Sequence, residues 1–287
     1  MTRWGARSAL LAGPFILGVV VLLGVPMLLT GWYAFTNQTA FTPGTFTGLD
    51  NLRQAWRDPL VGAAMRASLV HALLTVPLRL AAATAFALAL ASPRRGNRIA
   101  RAAVYLPSVL PDLSLALLAL WAFNPVFGPV NGVLRAIGVT GPNWFGSPWG
   151  ARVAIAAMML LPIGEAFLVV LAARRSLDPS LYDAGRIDGA SPRQLLRHIT
   201  LPQIAPLLAL LAVRDTILSL QVNVVPAYAL TDGGPDSATL FFPVLIFDHA
   251  FELFRFGYGA FLTLALLVVT ALLVLGQALF ARSRGWL

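Results

Sequence analysis

The chain has 287 residues, of which 58% are apolar and only 11% charged, with a formal net charge of +9 and a mean hydropathy of +0.76. Soluble domains carry about 25% charged residues, so this chain has too few to coat a water-facing surface. Its apolar residues run unbroken for about twenty positions, which excludes a transmembrane β-barrel with strands alternating over about ten and leaves helices that cross a bilayer.

All 21 basic residues are arginine, and cysteine is absent. The lack of lysine excludes a P-loop, which needs a phosphate-binding lysine, and Schiff-base chemistry, which needs an amine. The lack of cysteine excludes disulfides, thiol nucleophiles and cysteine metal sites.

About twenty apolar residues span a hydrocarbon core of roughly 30 Å. Six segments reach that length, at about 9–33, 67–91, 102–123, 151–173, 203–225 and 259–281. The first follows Arg3 and Arg7 and is longer than the apolar stretch of a signal peptide, so it reads as a retained anchor. Thirteen arginines fall at the N-terminus, in 92–101, in 174–200 and in the C-terminal tail, against six in or at the edge of the other three connections, Arg152 being the one at an edge. The positive-inside rule then predicts both termini in the cytoplasm, as an even number of crossings requires. Basic residues that follow topology, with no aromatic-interleaved patch, speak against nucleic acid. Segments 34–66, 124–150 and 226–258 read as external loops, and the apolar run Leu240 to Phe247 is too short to cross, so it is expected at the interface or as a short re-entrant helix. Neither an internal repeat nor a low-complexity linker interrupts the chain, which reads as one membrane domain over 1–287.

The stretch 178–202 has more punctuation than a loop needs. Asp178-Pro179 opens a short helix as N-cap and first position, Gly189 ends it in a left-handed conformation, Ser191-Pro192 restarts a second helix, and Pro202 marks entry to the fifth span. This is a helix-turn-helix on the cytoplasmic side. Its spacing resembles the permease subunits of binding-protein-dependent ABC importers, in particular those for carbohydrate uptake. That family carries Glu-Ala-Ala, three residues, Gly, nine residues, Ile, one residue and Leu-Pro; here Asp183-Ala184-Gly185, Gly189, Ile199, Leu201 and Pro202 stand at those spacings. Asp183 replaces Glu and Gly185 replaces the second Ala, the latter at roughly 1 kcal/mol of helix propensity. Arg186-Ile187-Asp188-Gly189-Ala190-Ser191, Tyr228 to Pro235 and Phe256-Gly257-Tyr258 are similar to the sugar-importer branch.

The resemblance implies an all-α, six-span permease of the type I importer fold in a bacterial inner membrane, catalysing no bond chemistry and holding no cofactor itself. ATP and magnesium would be bound by a partner ATPase dimer. It also implies a second permease subunit completing a heterodimer, an extracytoplasmic solute-binding protein and a small solute of carbohydrate type. The helix before Gly189 would sit in a groove of the ATPase, with Tyr182, Ala184 and Ile187 packing and Asp183, Arg186 and Asp188 pairing at the rim.

Five ionisable residues lie near mid-span: Arg79, Asp112, Glu165, Arg214 and Asp215. Such groups are expensive in a bilayer and mark a polar interior or pathway. Two readings stay open, internal pairing such as Arg79 with Glu165 or Arg214 with Asp112, and contact with solute. Neighbours on a helix point about 100° apart, so Arg214 and Asp215 are not expected to share a direction, which frees a carboxylate for a ligand. Gln221, Asn223 and Tyr228 at the outer end of the fifth span offer the polar groups and aromatic platform that a sugar needs, or hydrogen bonds to neighbouring helices. His71, His198 and His249 have no metal-binding spacing. The competing function is a proton-coupled secondary transporter that uses Asp112, Glu165 or Asp215 as a relay.

Overall fold

The computed structural model describes residues 3–92, 94–221 and 224–286; Asn223 lies outside the described residues. The described residues are mostly helical, and among them the one β-type pairing is an isolated bridge between Thr36 and Phe46. Its helices are α1 (Arg3–Val19), α2 (Val25–Tyr33), α3 (Asp50–Arg57), α4 (Pro59–Ala89), α5 (Arg95–Tyr105), α6 (Asp112–Ala122), α7 (Pro129–Ala136), α8 (Pro148–Met159), α9 (Gly164–Ser176), α10 (Pro179–Ile187), α11 (Pro192–Leu195), α12 (Leu201–Gln221), α13 (Val224–Thr231), α14 (Phe242–Phe247) and α15 (Phe256–Ser283).

Among the described residues four stretches are unbroken and apolar enough to cross a membrane: Leu11–Tyr33, Pro59–Ala89, Pro192–Gln221 and Phe256–Ser283. The first and third run through wide turns at Val20–Gly24 and Leu196–Thr200. The segments expected as the third and fourth spans are each bent. Gly96–Val109 meets Asp112–Ala122 at 105°, and Pro148–Met159 meets Gly164–Ser176 at 48°. Proline explains both bends, because it removes a helical N–H and pushes its predecessor out of the helical region. Leu110, before Pro111, is extended at φ −75°, ψ 137°, and Pro162 sits in the second gap.

The chain folds as two compact units, residues 1–61 with 245–268, and residues 62–244 with 269–287. In the first, the Asn51 amide donates to the Ala34 and Thr36 carbonyls (2.8 and 2.9 Å) and pins the chain leaving α2. The Gly257 N–H donates to the Gln38 carbonyl, and glycine is required there because a Cβ would collide with the Thr36 carbonyl. Arg255 donates to Gln54 and lies over the Tyr258 ring.

The second unit packs α4, α9 and α12 around Ala83, Ala87, Phe167, Val170, Ile204 and Leu211. Alanines on α4 let its backbone approach closely, as at membrane helix interfaces generally. Leu240, Phe241, Phe242 and Val244 are buried at 8% exposure or less, and the run leads into the short helix α14. The Phe242 amide donates to Ser68 of α4 at 2.7 Å.

Candidate functional site

A cavity of about 170 Å³ opens in the second unit where the two helix breaks meet α4 and α12. The breaks themselves build it. The Gly164 amide, left without a helical acceptor at the start of α9, donates to the Ser108 hydroxyl at 2.8 Å. The Pro162 carbonyl, released by the second break, accepts from Arg79 Nη2 at 3.1 Å. Irregular backbone at membrane depth is tolerated where it lines such a cavity. Both Asp112 and Glu165 stand in the first turn of the helix that follows a break, where the positive end of the helix dipole favours a carboxylate.

Arg79, Asp112, Glu165 and Arg214 all line this cavity, but they pair differently from the sequence expectation. Arg79 does not pair with Glu165, nor Arg214 with Asp112. Instead Arg214 pairs with Glu165, its Nη1 stands 3.2 Å from Asp215 Oδ1, and Arg79 Nε lies 3.9 Å from Asp215 Oδ2. The expectation that Arg214 and Asp215 diverge also fails, because the long arginine stem folds back across the helix surface. Asp215 is fully buried, whereas the Glu165 and Arg214 side chains keep 58% and 40% of their exposure. No carboxylate of α12 is left over; Asp112, exposed at the cavity wall, is the lining carboxylate without an ion pair among the described residues. Gln221 and Tyr228 are both exposed and stand away from this lining.

Sequence reasoning missed His71, Thr75, Ser108 and Ser219, which complete the wall. His71 packs its ring on Phe241 at 4.7 Å, and the Thr75 hydroxyl donates to the His71 carbonyl and lies 3.4 Å from Ser219 Oγ. The signal was present: Ser68, His71, Thr75 and Arg79 recur at helical spacing along α4, a polar stripe in an apolar span. Ser219 likewise follows Asp215 by four.

The second constellation is the elbow between α9 and α12. Asp178 caps α10 by accepting from the Ser180 amide at 2.9 Å, which also holds its carboxyl below the usual carboxylate range. At the other end Gly189 adopts φ +76°; its N–H donates to Arg186 and that of Ala190 to Gly185, a Schellman closure that favours glycine. Ser191 and Gln194 form a capping box that starts α11. Gly185 has a reason to be smaller than alanine, since a Cβ would come within 2.6 Å of Leu195 Cδ2.

This elbow exposes Ile187 at 87% and Leu181 at 39%, beside exposed Ala184 and Asp188. Asp183 and Arg186 pair with each other at 2.9 Å within the helix. Tyr182 differs from expectation. It is only 7% exposed and turns inward, its hydroxyl 2.8 Å from Thr200 Oγ1 and its ring under the Arg174 guanidinium at 4.3 Å. Tyrosine has both an apolar body to bury and a polar tip to satisfy, and this pocket provides for both.

Comparison with known proteins places this architecture. The chain is 30% identical to the probable ABC transporter permease protein YesP of Bacillus subtilis, over 95% of this chain and 89% of the relative. It is also 30% identical to the trehalose/maltose transport system permease protein MalF of Thermococcus litoralis, over 91% and 88%. In fold it is similar to a chain of the crystal structure of a bacterial alginate ABC transporter in complex with its alginate pentasaccharide-bound periplasmic protein, with TM-score 0.84, 22% identity, and 98% and 94% of the two chains covered. Residues 79–285 match the binding-protein-dependent transport system inner membrane components, and the chain belongs to that family of multi-pass ABC transporter permeases, transport subunits that work with a solute-binding protein, an ATPase and a partner permease.

Proposed function

We propose that this chain forms half of a carbohydrate pathway, lined by the α4, α6, α9 and α12 cavity and driven through the α10 elbow. The observation that carries the coupling half is the capped helix α10, which presents Ile187 almost fully exposed while its other face is tied to the chain. An isolated apolar knob on a short rigid helix suits a groove on a partner. Leu181, Ala184 and Ile187 would enter that groove, with Asp183, Arg186 and Asp188 at its rim, and Gly185 and Gly189 would set the shape of the elbow. Nucleotide and magnesium belong to the ATPase subunits, and the partner permease is a different chain. Both termini and the elbow lie in the cytoplasm.

For the cargo, the lining supplies an imidazole, three hydroxyls and a carboxylate without an ion pair, beside arginines whose charge is already matched. Hydroxyl-matching groups of mixed donor and acceptor character suit a polyol better than an anion. The trehalose/maltose relative supports the same class. Asp112 and Glu165 are the carboxylates within reach of solute, Arg79 and Asp215 hold the wall, and Gln221, Asn223 and Tyr228 fall to an outer, secondary role. Glu165 and Asp215, held in ion pairs, are poorly placed as a proton relay, and a family that uses a binding protein gives no support to the secondary-transport reading.

The test is reconstitution of this chain with its partner permease, ATPase and solute-binding protein in proteoliposomes, with calorimetry of the binding protein against a carbohydrate panel to choose the probe. Uptake that needs ATP and the binding protein, and is abolished by Ile187→Asp, is expected. Uptake driven by a proton gradient in the absence of the ATPase would overturn the reading.

A further inference from the structure

We infer that Tyr182 is the strut that carries movement of α10 into the two helices bearing the cavity charges, so that removing its hydroxyl disconnects the cavity from the ATPase without releasing the ATPase. The inference rests on α10 being the docking element. Tyr182 is a positioning residue, acting through α9 and α12.

Its place in the elbow sets it apart from every other side chain of α10. Leu181, Asp183, Ala184 and Ile187 face outward, whereas Tyr182 is buried and turned to the membrane spans. Two helices meet it there. Arg174, in the last turn of α9, lies over its ring at 4.3 Å, and Thr200, 2% exposed, meets its hydroxyl at 2.8 Å. The Thr200 hydroxyl donates to the Leu195 carbonyl, so the Tyr182 O–H donates to Thr200.

The far ends of those helices carry the cavity. Glu165 begins α9 and Arg214 lies along α12, and their ion pair joins the two at the cavity. A 13-residue helix such as α9 is about 20 Å long, so a tilt at Arg174 reappears at Glu165. On the other side, Thr200 belongs to the wide turn Leu196–Thr200 that precedes α12. Such turns interrupt the regular helical bonding and give a helix slack. A push applied at α11 alone would have to cross the whole turn; the Tyr182 bond acts on its last residue, Thr200, next to Leu201 where α12 begins.

The absence of cysteine from the chain makes a clean experiment possible. A Leu218→Cys reporter in the cavity wall, within the assembled complex, is labelled with a maleimide with and without ATP and vanadate, and its modification is read on this chain by mass spectrometry. The parent is expected to change its labelling rate several-fold on nucleotide trapping. Adding Tyr182→Phe or Thr200→Val should remove most of that change while the ATPase still co-purifies in parental amount, the two together should be no worse than either alone, and Thr200→Ser should restore it. A full nucleotide response in Tyr182→Phe, a parent reporter blind to nucleotide, or loss of the ATPase from Tyr182→Phe would each overturn the strut. Ile187→Asp reports separately on docking: if the ATPase still co-purifies with it, α10 is not the docking element, whatever Tyr182 does.

Discussion

Arg214 bridges two carboxylates of unequal burial, reaching Asp215 on its own helix at 3.2 Å and Glu165 on α9 with its other terminal nitrogen. Asp215 is wholly buried and is also approached by Arg79 at 3.9 Å. The same arginine therefore joins a structural charge to one that faces the cavity, and the two carboxylates should respond differently to mutation.

At the buried end, Arg79→Leu leaves Asp215 with one cation in place of two. A loss of about 1–3 kcal/mol is expected, the range for stripping a partner from a buried polar group. Replacing both members, Arg79→Leu with Asp215→Leu, should recover part of it, since exchanging a buried ion pair for apolar side chains is often nearly neutral. Thermal unfolding of the detergent-purified protein checks both. Equal stability of the single and double variants would show that the pair is not coupled.

At the exposed end, Glu165→Gln should cost less than about 1 kcal/mol, because solvent-screened pairs contribute little. Uptake in proteoliposomes should nevertheless fall several-fold, as the change removes a cavity charge and the link between α9 and α12 together. Stability and transport move apart in this variant, whereas in Arg79→Leu they fall together.

In the elbow, Gly185→Ala gains roughly 1 kcal/mol of helix propensity but brings a Cβ within 2.6 Å of Leu195 Cδ2. The substitution should be near neutral in the parent and stabilising when made in a Leu195→Ala background and compared with Leu195→Ala alone, where the contact is relieved. Gly189→Pro is different in kind, since proline is held near φ −65° and the position needs φ +76°. ATP-driven uptake should vanish while membrane insertion, followed by immunoblot of isolated membranes, is retained.

The first unit should weaken in acid through His249. Burial, helped by Arg255 and opposed by Asp58, lowers its pKa below 6.5, so the unfolded chain takes up a proton more readily than the folded one. Stability is then complete above about pH 6.5 and declines as pH falls through that value towards the folded pKa. Each kcal/mol lost lowers the melting temperature by about 2–4 °C in a protein of roughly this size. His249→Gln should flatten the pH dependence of the melting curve between neutral pH and pH 5.

Several site residues were legible in advance and several were not, and the division has a physical basis. Asp178, Gly189 and Ser191 act within a few residues of themselves, through caps and a left-handed turn, and local chemistry alone announces them. Arg79, Asp112, Glu165 and Asp215 announced themselves by cost, since a charge at mid-span demands a reason. Their partners did not follow, because pairing across α4, α9 and α12 depends on helix rotation and on how far an arginine stem can bend. His71 and Thr75 were overlooked although their spacing with Arg79 was visible, because each is inexpensive enough to bury alone.

The composition and the lengths of the apolar runs determined by themselves that this chain crosses a membrane as helices, and the spacing from Asp183 to Pro202 identified the elbow. Those properties rest on transfer free energy and local backbone preference, which act along the chain. Only the tertiary structure decided that Pro111 and Pro162 break two spans at one cavity, that Asp112 and Glu165 stand at the helix starts those breaks create, and that Tyr182 turns inward. Each of these depends on which distant backbone or side-chain group arrives to satisfy a freed carbonyl, an amide or a hydroxyl, and that choice is made by packing.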